Sequence, residues 1–183
     1  WALSYIRDLE RRVSEFRDAR ANATLYSYGK AKELTKVAYP DGTDEDYYYD
    51  NALRLRKLTN GRNQDTNLTY DTVGWLSTVT FPSTAEPGVT YTYRADGLLS
   101  TVTDQSGITT YEYFANRLLK AEVYNFSSSG LTSLQRIEYE YFPDNLLKKI
   151  SWKNGALVVG TWEYGYDLAG RMTSVKSFNQ TNN

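Results

Sequence analysis

The tightest constraint on this chain is a unit that recurs along most of its length. The cleanest copy is Tyr164-Gly165-Tyr166-Asp167-Leu168-Ala169-Gly170-Arg171-Met172-Thr173-Ser174-Val175. Two tyrosines flank one residue, an Asp follows, a Gly comes three residues later, and apolar side chains return at Met172 and Val175. The other copies line up on the first of the paired positions. They carry Tyr26 and Tyr28; Tyr47 and Tyr49 with Asp50; Leu68 and Tyr70 with Asp71 and Gly74; Tyr91 and Tyr93 with Gly97; Tyr111 and Tyr113; Tyr139 and Tyr141. Their lead positions 26, 47, 68, 91, 111, 139 and 164 are separated by 21, 21, 23, 20, 28 and 25 residues. Such a period governs every other assignment, because repeat units stack on their neighbours and do not enclose a single core.

Each copy reads as a β-hairpin. Side chains alternate along a strand, so both rings of Tyr-x-Tyr point to one face. Asp bonds its own backbone and Gly accepts positive φ, so the segment between them is the turn. The return strand brings back apolar partners, among them Leu34 and Val37, Leu55 and Leu58, Leu76 and Val79, Leu99 and Val102, and Leu147 and Ile150. Looser turns such as Pro40-Asp41-Gly42 and Lys153-Asn154-Gly155 join one hairpin to the next. About seven hairpins imply about fourteen short strands, an antiparallel meander that curves as sheet twist accumulates. The 17 Tyr, 4 Trp and 6 Phe against 4 Pro agree with strands.

The fold class expected is therefore mainly β: a curved or spiralling strip of hairpins over residues 22–178, with a polar tail at 179–183. Residues 1–21 read differently. Leu3, Ile6, Leu9, Val13 and Phe16 recur at steps of three and four, and Asp8 with Arg12 is spaced for an i, i+4 pair. That pattern predicts an amphipathic helix over 2–20, docked on the sheet as a cap or used to oligomerise. The stretch 83–88 and the interval from Asn125 to Gly130 break the period and are expected to be exposed loops.

Composition removes several function classes. No Cys means no disulfide or thiolate metal site, and no His removes the commonest general base and metal ligand. A net charge of −1 supplies no field for nucleic acid. No apolar run reaches the ~18 residues of a membrane helix, so no membrane insertion is expected. The chain opens on Trp1 and reads as a piece of a longer polypeptide. No cofactor is expected.

Candidate chemistry is sparse. Glu138 and Glu140 flank Tyr139 on one strand face, about 7 Å apart by strand rise, near the spacing of an inverting glycosidase. Glu112 sits at the same outward position of another copy, which makes a solvated face the simpler reading. Asp41, Asp44, Glu45, Asp46 and Asp50 form the densest acidic run, but Gly42 and the closing position do not suit a calcium loop. Trp75, Trp152 and Trp162 are candidate ligand or partner contacts, and the tyrosine rows could stack sugars if they face solvent. Lys148, Lys149 and Lys153 beside Trp152 make too small a basic patch for nucleic acid.

The unit Tyr-x-Tyr-Asp-x-x-Gly-Arg-Met-x-x-Val at 164–175 resembles the YD repeat, also called the RHS repeat, and the resemblance extends over about residues 24 to 177. It implies a β-sheet strip that spirals into a hollow shell, as in bacterial RHS proteins, the cocoons of insecticidal toxin complexes and teneurins. It also implies a secreted or cell-surface scaffold, non-enzymatic, that belongs to a larger polypeptide and encloses or displays a cargo such as a toxin. The alternative is an adhesion module that binds carbohydrate or a cell-surface protein through tyrosines and loops. Departures are visible. Gly29, Arg94, Phe114 and Phe142 replace the Asp, and Leu53, Arg117 and Asn145 replace the Gly. Glu122 stands where the last apolar residue should fall, which predicts a bulged or re-registered strand there.

Overall fold

A computed structural model describes residues 3–82, 88–126 and 135–179. Trp1, most of the 83–88 stretch, the Ser127–Gly130 part of the longest interval and the tail beyond Asn179 lie outside the described residues. The chain forms two compact units, Trp1–Gly88 and Val89–Asn183.

The first unit is an antiparallel meander in sequence order: β1 (Ser4–Arg7), β2 (Val13–Arg17), β3 (Ala23–Tyr28), β4 (Leu34–Ala38), β5 (Asp44–Tyr49), β6 (Leu55–Thr59), β7 (Asp65–Tyr70) and β8 (Leu76–Thr80). The second unit repeats the plan with β9 (Val89–Tyr93), β10 (Leu99–Asp104), β11 (Gly107–Tyr113), β12 (Leu119–Phe126), β13 (Gln135–Tyr141), β14 (Leu147–Asn154), β15 (Leu157–Tyr166) and β16 (Met172–Asn179). The described residues contain no helix.

The expected N-terminal helix is therefore corrected to a hairpin, and the reason is instructive. Tyr5-Ile6-Arg7-Asp8-Leu9-Glu10-Arg11-Arg12-Val13-Ser14-Glu15-Phe16 is an eighth copy of the repeat, with Tyr5 placed 21 residues before Tyr26. Its Asp8–Arg12 pair closes a turn and not a helical face, with Arg12 Nε donating to Asp8 Oδ2 at 2.8 Å.

The three-residue step between apolar positions has its own cause. In every YD hairpin the register slips by one residue just before the turn: Ser27 pairs with Lys36, but Tyr28 pairs with Leu34. The skipped residue is a β-bulge, and it lets residues three apart, Leu34 and Val37, share a face with tyrosines two apart. The same slip sets Tyr47 opposite Leu58 and Tyr49 opposite Leu55, and Tyr164 opposite Val175 and Tyr166 opposite Met172. In the eighth copy it sets Tyr5 opposite Phe16. A step of three is helical in a helix and bulged in this sheet.

Little of the described chain is sealed from water. Val37 and Ala121 are the buried apolar residues among those described, joined by Thr59 and Ser151. No large side chain among the described residues is fully buried. In the lead strands the tyrosine positions are half-buried and the alternating positions, such as Ser27, Thr69 and Thr92, are exposed, so cross-strand pairs on one face supply the packing that a core supplies elsewhere.

Candidate functional site

The repeated site is the turn. In each copy the amide of the first turn residue donates to the backbone oxygen of the residue four later, the amide of the fourth residue donates back to the first, and that fourth residue is left-handed. Asp50 N–H donates to Arg54 O at 2.9 Å, and Leu53 N–H donates to Asp50 O at 3.0 Å. This is a type I turn closed by a left-handed residue, the standard three-residue hairpin loop. The left-handed position holds Gly74, Gly97 or Gly170 in some copies and Arg11, Lys32, Leu53, Arg117 or Asn145 in others. The same turn also joins successive hairpins in the first unit, at Asp18–Asn22, Tyr39–Thr43 and Asn60–Gln64.

The Asp of the motif does two jobs. Its Oδ1 accepts two turn amides, from Ala52 and Arg54 at Asp50 and from Ala169 and Arg171 at Asp167. Its Oδ2 takes a guanidinium, Arg54 Nε at 2.7 Å and Arg171 Nε at 2.8 Å. In both, the Arg backbone amide and then its side chain hold the carboxyl below the usual carboxylate range.

Within each unit the second tyrosine of a repeat then covers the turn of the repeat before it. Tyr28, Tyr49 and Tyr70 donate their hydroxyls to the backbone oxygens of Val13, Leu34 and Leu55, at 2.8, 2.8 and 2.7 Å. Arg12 lies 4.4 Å from the centre of the Tyr28 ring, and Arg54 lies 4.5 Å from that of Tyr70. In the second unit Tyr113 meets Arg94 at 5.6 Å. Tyr141 meets Phe114 edge-on at 6.2 Å, and Tyr166 meets Phe142 in the same way at 6.2 Å. The substitutions of Asp by Arg94, Phe114 and Phe142 therefore fall where a ring lands on them. Sequence spacing alone could not pair a tyrosine with the turn of another repeat.

The motif tyrosines Tyr26, Tyr28, Tyr47, Tyr49, Tyr70, Tyr91, Tyr93, Tyr111, Tyr113, Tyr139, Tyr141, Tyr164 and Tyr166 are all half-buried. Asp71 caps its turn through the amides of Val73 and Trp75. Trp75 and Trp162 are half-buried, while Trp152 is exposed and donates its indole N–H to Gln135 at 3.1 Å. Trp152 lines an open cleft of about 350 Å³ with Tyr124, Phe126, Gln135 and Ile137.

The carboxylates are taken up pairwise. Arg136 bridges Glu112 and Glu138, and Lys153 reaches the other oxygen of Glu138 at 2.5 Å. Asp41 caps Thr43, Asp44 and Asp46 share Lys36, and Glu45 accepts the Tyr47 hydroxyl. No group of three metal-ligating side chains occurs among the described residues. The β11–β12 pair is bulged, between Glu112 and Tyr113, as the other hairpins are, but Glu122 itself does not re-register the strand: it pairs in step with Tyr111 and Ile137. The hydroxyls of Tyr124 and Tyr139 satisfy its carboxylate, which is why an acid is tolerated at an apolar position.

Comparison with known proteins agrees with this geometry. The family model for the teneurin YD-shell matches residues 3–176, and so takes in the N-terminal hairpin. The chain is 27% identical over 158 residues to the probable deoxyribonuclease RhsB of Dickeya dadantii (strain 3937), covering 81% of this chain and 11% of that protein. Among solved structures it resembles TcdB2-TccC3 without its hypervariable C-terminal region, with a TM-score of 0.75 at 14% identity, over 93% of this chain and 10% of that one. It also resembles the Photorhabdus luminescens Tc holotoxin pore, with a TM-score of 0.68 at 12% identity, over 98% of this chain and 12% of that one. The chain thus spans about a tenth of the length of these relatives. With hairpin, bulge and turn repeated along both units, the chain belongs to the YD-shell family.

Proposed function

We propose that this chain is a structural wall segment of a larger YD-repeat shell, secreted or exported to the cell surface, that encloses or displays a cargo such as a toxin. The observation that carries this reading is how its polar and aromatic groups are used. Motif tyrosines are spent on neighbouring turns, and carboxylates are spent on guanidinium, ammonium and hydroxyl partners. The segment is non-enzymatic in this reading. The nuclease designation of RhsB belongs to a protein of which the matched region is a small part.

The test uses the parent polypeptide with its cargo region attached. Limited proteolysis should spare the cargo when this segment is intact and cleave it when Ala121→Glu disrupts the sheet. Cargo that stays protected in the variant would remove the wall reading. The adhesion alternative, working through Trp152 and its cleft, would show instead as glycan or cell-surface binding that Trp152→Ala abolishes.

A further inference from the structure

Glu122 is a half-buried acid without a counter-charge among the described residues. Glu112, Glu138 and Glu140 each face a lysine or an arginine. Glu122 is held instead by two hydroxyls, those of Tyr124 and Tyr139. Burial, and after it the Glu122 carboxylate, pushes both phenols above the ordinary tyrosine range, so they stay donors and the charge stays on the acid.

The ring of Tyr124 also walls a cleft. On β12 it stacks beside Phe126, with ring centres 6.1 Å apart. Trp152 stands on β14, and Gln135 and Ile137 of β13 line the space between. Ile137 pairs with both Glu122 and Trp152, so the acid and the far wall share one cross-strand row. The cleft holds about 350 Å³, near the small end of the ~300–1,000 Å³ of ligand pockets. Strands β12 and β14 lie two spacings apart, about 9.6 Å, so a group seated over β13 has aromatic walls about 5 Å to either side. That is inside the ~6 Å reach of a cation–π contact.

Elsewhere the chain supplies such cations itself: Arg12 to Tyr28, Arg54 to Tyr70 and Lys57 to Tyr48. This cleft is lined by no lysine or arginine, and Lys153, next to Trp152, is held by Glu138.

We propose that the cleft is a binding site for a quaternary ammonium group of the choline type. The lining selects that class over two neighbouring ones. The Trp152 indole N–H donates to the side-chain oxygen of Gln135, and the Tyr124 hydroxyl is given to Glu122, so most polar atoms are already spent. A sugar would bring several hydroxyls, and a primary ammonium three donors, to walls that cannot pair them. A trimethylammonium has no N–H to satisfy and asks only for aromatic rings and a negative charge nearby. The Gln135 amide N–H that remains serves one ligand oxygen, such as the choline hydroxyl. The Tyr124–Glu122 hydrogen bond polarises that ring toward greater electron density, which strengthens its hold on a cation.

Such a site is independent of the wall reading, and cargo protection does not bear on it. Choline chloride is titrated into the full chain, with sodium chloride at equal ionic strength as the blank. Nuclear magnetic resonance follows the Trp152 indole N–H and the amides of Phe126 and Gln135. A saturable shift centred on these groups is expected, half-complete at about 1–10 mM. Dimethylbutanol, in which carbon replaces the quaternary nitrogen, should bind about fivefold or more weakly. Glu122→Gln, which keeps an acceptor for the tyrosines, should weaken choline about threefold. Trp152→Leu, which keeps the bulk and is read at Phe126, should weaken it about fivefold. Phosphatidylcholine vesicles distinguish the source of the group: cosedimentation that free choline competes away assigns a lipid head group, and choline binding without it assigns a soluble ligand.

Equal binding of dimethylbutanol would overturn the proposal, since it would leave a merely hydrophobic slot. So would a methyl glucoside that saturates the same shifts at lower concentration, or no saturation by choline at about 50 mM. A choline shift that neither folded variant weakens would overturn it as well. The comparison with dimethylbutanol needs no substitution, so it decides the matter even where a variant does not fold.

Discussion

The two units solve the same stacking problem with different chemistry. In the first, strands are four to six residues long, and both sides of the meander turn through the same three-residue loop. In the second, β11 to β16 run to seven, eight or ten residues, and two of its turns are two-residue loops, at Gln105-Ser106 and Gly155-Ala156. One of those loops brings Gly107 so close to Asn125 O that a Cβ would lie 1.9 Å from it. The covering contact differs as well. Tyr28 and Tyr70 sit on Asp–Arg pairs, whereas Tyr141 and Tyr166 meet the edges of Phe114 and Phe142. The geometry of the tyrosine is kept while its partner changes from a paired cation to a ring. What the repeat preserves is a place for the ring, not one particular partner.

Breaking the interior of one unit should have the largest effect. Ala121 is fully enclosed on β12, so Ala121→Glu should cost about 3 kcal/mol or more through overpacking and an unpaired charge. Loss of exchange protection across β11–β13 would register it, and an unchanged melting curve would show that the sheet relaxes there.

The covering contacts come next. Phe142→Ala should cost about 2 kcal/mol and respond little to salt, because the contact is apolar. Tyr70→Phe removes one hydroxyl bond to Leu55 O and should cost about 1 kcal/mol. Denaturant melts of Phe142→Ala and of Arg54→Ala, which removes the cation under the Tyr70 ring, at low and high ionic strength sharpen the comparison: equal salt responses would erase it.

A smaller, stabilising effect is expected at the left-handed turn position. Leu53 has φ 60, a conformation that disfavours a side chain, so Leu53→Gly should gain about 0.5 kcal/mol after glycine's own entropy is charged against it. Arg117→Gly in the second unit should gain nothing, because Arg117 also donates to Asp96 O at 3.1 Å. Chemical denaturation separates the two.

The gentlest effect is with acid. Asp18, Asp41, Asp50 and Asp65 of the first unit are held below the usual carboxylate range, by Asn22, by Thr43, by the Arg54 amide and by Thr59 respectively. A depressed folded pKa gives stability that is present above about pH 4 and is lost as pH falls through the folded value. Exchange protection in β2–β7 should therefore fall below about pH 4. Strands β11 and β13 carry Glu112 and Glu138, held below the usual carboxylate range by Arg136 and by Lys153 respectively, so the second unit should lose protection over the same range. Exchange that stays unchanged with acid in either set of strands would count against this.

Much of this was legible in the chain itself. The Tyr-x-Tyr period placed the hairpins, and the apolar return residues proved to lie opposite the tyrosines. The N-terminal copy was hidden because Arg7 and Arg11 replace a tyrosine and the glycine, and because a step of three between Val13 and Phe16 mimics a helix face. The bulge that explains this step was readable in principle. Two residues three apart cannot share a strand face without one, and the step recurs in nearly every return strand. The covering of one turn by the next repeat's tyrosine was not readable, because it depends on the register between hairpins. Nor was the harmless accommodation of Glu122, which needs the hydroxyls of Tyr124 and Tyr139 to converge from two strands.

The near absence of sealed residues has a consequence for covering area. A residue in a single sheet spans roughly 16 Å² of surface, from its rise along the strand and the spacing between strands. A sandwich of two sheets covers half as much per residue, because its second layer lies behind the first. A protein that must partition a large volume with the shortest polypeptide is best built one residue thick. A bulged hairpin whose ring rests on the turn before it, as those of Tyr28 and Tyr70 do, holds a sheet of this thickness together without a sealed interior.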